Sequence, residues 1–157
     1  MRKRLLLPFT HGVDGKAIDH VLLFAKGADT IIITLALIPV IPKTEEVRPE
    51  RIQQAKDFLE MIYAKSINYG VLLEKYEIFA NNILETTLAS VSTMDCQGII
   101  LLFEGEEAKF LHTNEANYIR QHTTHSLYIL QMLTHKRPSI LKNFLPQLAG
   151  KLTRKTQ

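Results

Sequence analysis

Proton transfer, metal binding and covalent catalysis each need particular side chains at particular spacings, and this chain offers six histidines, sixteen acidic residues and one cysteine for such work. His122 and His125 lie three apart, with His112 and His135 to either side, but no cysteine or carboxylate at typical metal spacing accompanies them. No metal is therefore expected. Cys96 has no local feature that would lower its pKa, and Ser90, Ser92 and Ser126 lack the G-x-S-x-G elbow that exposes a nucleophilic serine. No catalytic nucleophile is expected, and the chain reads as a non-enzyme. Gly12-Val13-Asp14-Gly15-Lys16 puts two glycines and a lysine at the start of a helix, where free N–H groups favour an anion. Asp14 opposes that charge, so a plain glycine-rich turn is the expected role.

Composition bounds the rest. At 157 residues, 46% hydrophobic and 22% charged, the chain is long enough to bury one domain core. A lone cysteine cannot close an intramolecular disulfide, which suits a reducing, cytoplasmic compartment. Met1-Arg2-Lys3-Arg4 followed by Leu5-Leu6-Leu7 imitates a signal peptide, but Pro8-Phe9 ends the apolar run too early. No stretch is long enough to span a bilayer. Residues 1–4 and 116–157 hold ten of the 19 Lys and Arg and none of the acidic residues, so an acidic body carries a basic tail. That tail has spaced charges and no aromatic interleaving beyond Phe144, so nucleic-acid binding is not expected.

Alternating apolar runs and amphipathic stripes give the elements that must position these groups. Arg4–Phe9, Thr30–Ile38 and Gly98–Phe103 are short apolar runs of the kind that form strands buried on both faces. Val71–Phe79 mixes apolar and charged residues, as an edge strand does, and Leu127–Leu133 supplies a fifth strand. Between them, Asp14 is placed to cap a helix bearing Ile18, Val21, Leu22 and Ala25 at helical spacing, stopped by Gly27. Pro49 opens a long helix through Ile52, Ala55, Leu59 and Ile62 that Gly70 ends, and Asn82 with Glu85 resembles a capping box. A short helix from about Glu115 to His122 follows, with Asn114 as its cap. Strands alternating with helices predict an α/β fold: an open five-stranded parallel sheet, order 3-2-1-4-5, with helices on both faces. Residues 1–134 make up that domain. Residues 135–157 form a basic amphipathic C-terminal extension with Ile140, Leu141, Phe144, Leu145, Leu148 and Leu152 at helical spacing.

Leu5-Leu6-Leu7-Pro8-Phe9 leading into a helix with Ala17, Val21 and Ala25 resembles the first βα unit of universal stress proteins. Glu77-Ile78-Phe79-Ala80-Asn81-Asn82-Ile83 resembles that family's third strand and following turn, Gly98–Phe103 its fourth strand, and Ile119–Leu130 its last helix and strand. The resemblance spans about residues 4–133. It implies a Rossmann-like fold, a nucleotide crevice between the first and fourth strands, and a homodimer through the last strand, here the edge bearing Leu127, Ile129 and Leu130. Family members that bind ATP place an aspartate after the first strand and a loop of form G-x2-G-x9-G-S/T after the fourth.

This chain departs from that pattern. Thr10 stands at the aspartate position, only Gly105 remains of the three glycines, and Thr113-Asn114 replaces the terminal Gly-Ser. Glycines let backbone N–H groups approach a phosphate, whereas Glu104, Glu106 and Glu107 put negative charge where phosphate would lie. The degenerate crevice is expected to hold Thr10, His11, Gly12, Gly105, Thr113 and Asn114. There His11 beside carboxylates has the composition of a proton-transfer pair or part of a metal site, and a hydrogen-bonded loop histidine is the expected role. The expectation is a dimeric, non-catalytic stress-protein-like module without a cofactor, acting on an unknown protein partner such as a membrane transporter. The alternative is a binder of ATP or AMP with an altered phosphate loop.

Overall fold

The computed structural model describes residues 2–133, so the extension predicted from residue 135 onward lies outside the described residues. Ten elements follow in order: β1 (Lys3–Phe9), α1 (Gly15–Gly27), β2 (Thr30–Pro39), α2 (Pro49–Tyr69), β3 (Leu73–Ala80), α3 (Ile83–Thr93), β4 (Gly98–Glu104), β5 (Glu107–Lys109), α4 (Thr113–His122) and β6 (Ser126–Met132). Five of the strands form a parallel sheet in the order β3-β2-β1-β4-β6. This is the predicted α/β topology, with one strand more.

The added strand, β5, pairs antiparallel with β4 through Leu102↔Lys109, Phe103↔Ala108 and Glu104↔Glu107. Its sequence, Glu-Ala-Lys, has no apolar alternation to announce a strand. Pairing fixes it instead, through a two-residue turn in which Gly105 takes a φ of 63°. A side chain is strained in that left-handed region, and glycine is not.

Side chains alternate along each buried strand and so feed two cores. Leu5, Leu7 and Phe9 of β1 face α1 and α2, against Ile18, Leu22, Phe58 and Ile62. Leu6 of β1, Ile33, Leu35 and Leu37 of β2 and Ile99 and Leu101 of β4 face the other way, toward Val91 of α3 and Ile119 of α4. Helices therefore cover both faces. Asp14 caps α1, its carboxylate accepting from the N–H groups of Lys16 (3.0 Å) and Ala17 (3.2 Å). Asn82 accepts from the Glu85 N–H at 3.1 Å to start α3, and Gly70, at φ 70°, closes α2.

The cap predicted at Asn114 is not found. Helix α4 starts two residues earlier, with His112 at the capping position and the Glu115 carboxylate accepting the His112 N–H at 2.8 Å. Glu115 can turn back to that N–H because it sits three residues into the helix. Thr113 and Asn114 are thus the first helical residues rather than the end of a loop.

Candidate functional site

In open parallel sheets, ligands bind beyond the carboxyl ends of the strands where strand order reverses, here between β1 and β4. Strand β4 pairs with β6 along its whole length on one edge. Its other edge pairs with β1 only at Gly98 and Ile99, and with β5 at Leu102–Glu104. Where β1 and β4 part, the chain's own hairpin therefore enters the gap.

The end of that hairpin is locked to β1. The Phe110 carbonyl accepts from the N–H groups of Thr10 at 2.7 Å and His11 at 3.2 Å, a geometry that requires φ 71° at Phe110. Its ring is buried beside Phe58 (centroids 5.2 Å apart) and Phe9 (6.0 Å), which are themselves stacked at 4.1 Å. Burial of this aromatic cluster offsets the cost of a bulky residue in the left-handed region, of order 1–2 kcal/mol.

Beside the wedge lies a polar cluster. Thr10, only 3% exposed, has its Oγ1 3.1 Å from Glu115 Oε1, 3.1 Å from His11 Nδ1 and 3.3 Å from the Phe110 carbonyl. The His11 and His112 rings stack with centroids 3.7 Å apart. Arg51 of α2 donates to the Thr10 carbonyl at 3.2 Å. Burial, His112 and Arg51 together hold the His11 imidazole below its ordinary pKa, against the pull of Glu115. The neutral imidazole is thereby favoured.

Of the remaining crevice residues, Gly12, Gly105 and Thr113 are engaged by the protein itself. Gly12 has φ 82° and its N–H donates to Gln54 Oε1 at 3.3 Å. Lys109 reaches Glu104 at 3.2 Å and Asp14 at 3.3 Å. Burial works against the charges of Asp14 and Lys109, but the N–H groups capping α1 together with Lys109 lower the pKa of Asp14, and Glu104 together with Asp14 raises that of Lys109. The Gly105 carbonyl accepts from Gln131 at 2.9 Å, and Thr113 Oγ1 accepts from the Ala108 N–H at 3.2 Å, tying α4 to β5. Asn114 is exposed, as are Glu106 and Glu107 at the hairpin tip.

A cavity of about 210 Å³ remains among His11–Asp14 and Glu107–Phe110. Ligand pockets ordinarily run from about 300 Å³ upward. A wider hollow of about 490 Å³ beside α2 is edged by Asp57 and Glu60, whose charge repels an anion.

The histidines close in sequence do not meet. His122 Nδ1 lies 2.9 Å from the Tyr118 carbonyl, and His125 Nε2 lies 3.2 Å from Ser92 Oγ. His11 and His112, a hundred residues apart, are the ones in contact, and only the strand order would have suggested them. Glu104 to Glu107 were the carboxylates expected near His11; Glu115 takes that place. On β6, Leu127 and Leu130 are half-buried on opposite faces and Ile129 is 44% exposed. Among the described residues no strand pairs with the outer edge of β6. Cys96 is buried, which pushes its thiol up to about 11. No described helix is long and apolar enough to cross a membrane.

No protein-family model and no curated protein matches the sequence. Solved structures do match, and they define the class as a Rossmann-like α/β fold. More particularly, the fold is that of the universal stress proteins. The chain is similar to the universal stress protein from Archaeoglobus fulgidus (TM-score 0.62, 10% identity, 82% of this chain and 93% of that one). It is also similar to UspA from Lactobacillus plantarum (TM-score 0.61, 10% identity, 83% and 99%). A third match is an Arabidopsis thaliana family member with AMP bound (TM-score 0.59, 12% identity, 87% and 96%).

Proposed function

We propose that this chain is a universal stress protein-like regulatory or interaction module: a cytoplasmic homodimer that is not an enzyme and does not hold ATP as the glycine-loop members do. The observation that carries the reading is β5, which lies in the gap between β1 and β4 and leaves about 210 Å³ there. A triphosphate loop needs free backbone N–H groups. Here Gly12 and Ala108 spend theirs on Gln54 and Thr113, and Gly105 serves a tight turn. Dimerisation through β6 is supported by exposed Ile129 and by an outer edge with which no strand among the described residues pairs. The partner class is a protein, a membrane transporter being one candidate.

The second reading is a mononucleotide binder, favoured by fold neighbours whose structures contain AMP, dAMP or cAMP. A thermal-shift titration of the dialysed protein with ATP, ADP, AMP and Mg²⁺, beside light scattering, separates the two. A ligand selective for the folded state at 100 times its Kd adds about 2.7 kcal/mol and a clear rise in Tm. No shift from a stable dimer is the expected result, and a shift with AMP would install the second reading.

A further inference from the structure

We propose that His11, His112 and Glu115 form a site for one divalent transition-metal ion of the zinc class, with an open coordination position facing the β1/β4 crevice. One ligand atom from each of the three lies within 4.8 Å of the others. Two imidazoles and a carboxylate are a donor set that zinc accepts, at metal–ligand distances of about 2.0–2.2 Å, and three protein ligands leave the fourth position for water or an anion. Tetrahedral geometry at those lengths puts ligand atoms about 3.4 Å apart, so the cluster must draw in by a little over ~1 Å.

Hydrogen bonding prepares the ligands. A hydroxyl has one proton, so if Thr10 Oγ1 donates to Glu115 Oε1 it accepts from His11 Nδ1–H, and both contacts are 3.1 Å. That chain fixes the tautomer in which His11 Nε2 carries the free lone pair, the outer-shell arrangement metal-binding histidines require. Glu115 Oε1 also accepts the His112 N–H at 2.8 Å, which leaves Oε2 for a metal. The stacked rings do not yet aim their lone pairs at one point. His112 is exposed, and loading the site requires its ring to swing off His11. Arg51 opposes a cation here and keeps the affinity below that of a closed four-ligand site.

The test is calorimetric titration of the dialysed full-length protein with Zn²⁺, with Co²⁺ used separately for visible absorption. One saturating equivalent is expected. Binding should weaken at least tenfold in His112→Ala, whose exposed side chain can be removed without disturbing the core, and in Glu115→Gln, which keeps an oxygen acceptor for Thr10 and His112. It should be unchanged in His122→Ala/His125→Ala. The Co²⁺ complex should show the strong d–d bands of a four-coordinate ion, lost with His112→Ala. No saturable binding, full affinity in His112→Ala, or loss in His122→Ala/His125→Ala would each overturn the proposal. Circular dichroism on each variant separates ligand loss from unfolding.

Discussion

Replacing Thr10 by aspartate would restore the residue that ATP-binding universal stress proteins place after the first strand, and the surroundings of Thr10 set what that change costs. Thr10 is 3% exposed, and its Oγ1 faces two oxygen acceptors, Glu115 Oε1 at 3.1 Å and the Phe110 carbonyl at 3.3 Å. A carboxylate there has no proton to donate. It removes the hydroxyl's one proton, although both acceptors keep their backbone donors, and it sets a second negative charge beside Glu115. Two unit charges 4 Å apart repel by about 4 kcal/mol at an effective dielectric of 20, and His11 at 3.1 Å returns part of that by pairing with the new group.

Thr10→Asp should therefore cost about 3–5 kcal/mol at pH 8, as expected for a buried charge without a full partner. Thr10→Asn, equal in shape but uncharged and able to donate, should cost about 1–2 kcal/mol. Urea unfolding reads the difference: with an m-value of about 2 kcal/mol/M, 3 kcal/mol moves the midpoint by roughly 1.5 M. The pH dependence has a definite sign. The introduced carboxyl has its folded pKa raised above the unfolded value, so the penalty is absent below pH ~4 and grows as pH rises through the folded pKa. If Thr10→Asp matches Thr10→Asn at pH 8, the crevice tolerates the charge and the account of Thr10 as a buried donor facing Glu115 is wrong.

Three further outcomes are expected. Gly98→Ala should destabilise by about 1–3 kcal/mol, because a Cβ there would meet the Ser126 carbonyl oxygen at 2.6 Å and push β6 from β4; a Tm within 1 °C of wild type would contradict that register. Asp14→Ala should lose about 1 kcal/mol of capping and ion pairing at pH 7. Since the pKa of Asp14 is lowered in the fold, its contribution is present above the unfolded pKa and lost as pH falls through the folded one, so the variant and wild type should converge in acid denaturation below pH ~4. Cys96, with burial pushing its thiol up to about 11, should be about 0.1% thiolate at pH 8 and react with iodoacetamide at least ~100-fold slower than a free thiol until the protein is unfolded; rapid labelling of the folded protein would refute its burial.

How much of this was legible in the sequence depended on whether a feature was local. Asp14 and Asn82 announce their helices because a cap acts within three residues, and β1, β2 and β4 announce themselves because a strand buried on both faces is apolar throughout. Asn114 misled for the same local reason: it is a good capping residue, but Glu115 reaching back to His112 starts the helix two residues sooner. The site followed another rule. Strand β5 has no sequence pattern of its own, and Phe110 looks like any loop aromatic until its ring is found packed against the stacked Phe9 and Phe58.

Charge counting suggested that the loop after β4 repels phosphate, and β5 adds a steric argument to the proposed reading. Gly105 shows why a surviving motif residue is weak support for a surviving function. It remains a glycine at φ 63° because a two-residue hairpin turn needs one, and that turn is what brings β5 into the gap between β1 and β4. The residue that most resembles the ATP-binding pattern therefore belongs to the element that narrows the crevice. Lengthening that turn would relax the hairpin without touching Thr10, His11 or Phe110. If crevice volume rather than charge excludes a nucleotide, AMP should then bind where the wild-type protein shows no shift. If charge decides, Glu104→Gln/Glu107→Gln should admit AMP and the longer turn should not.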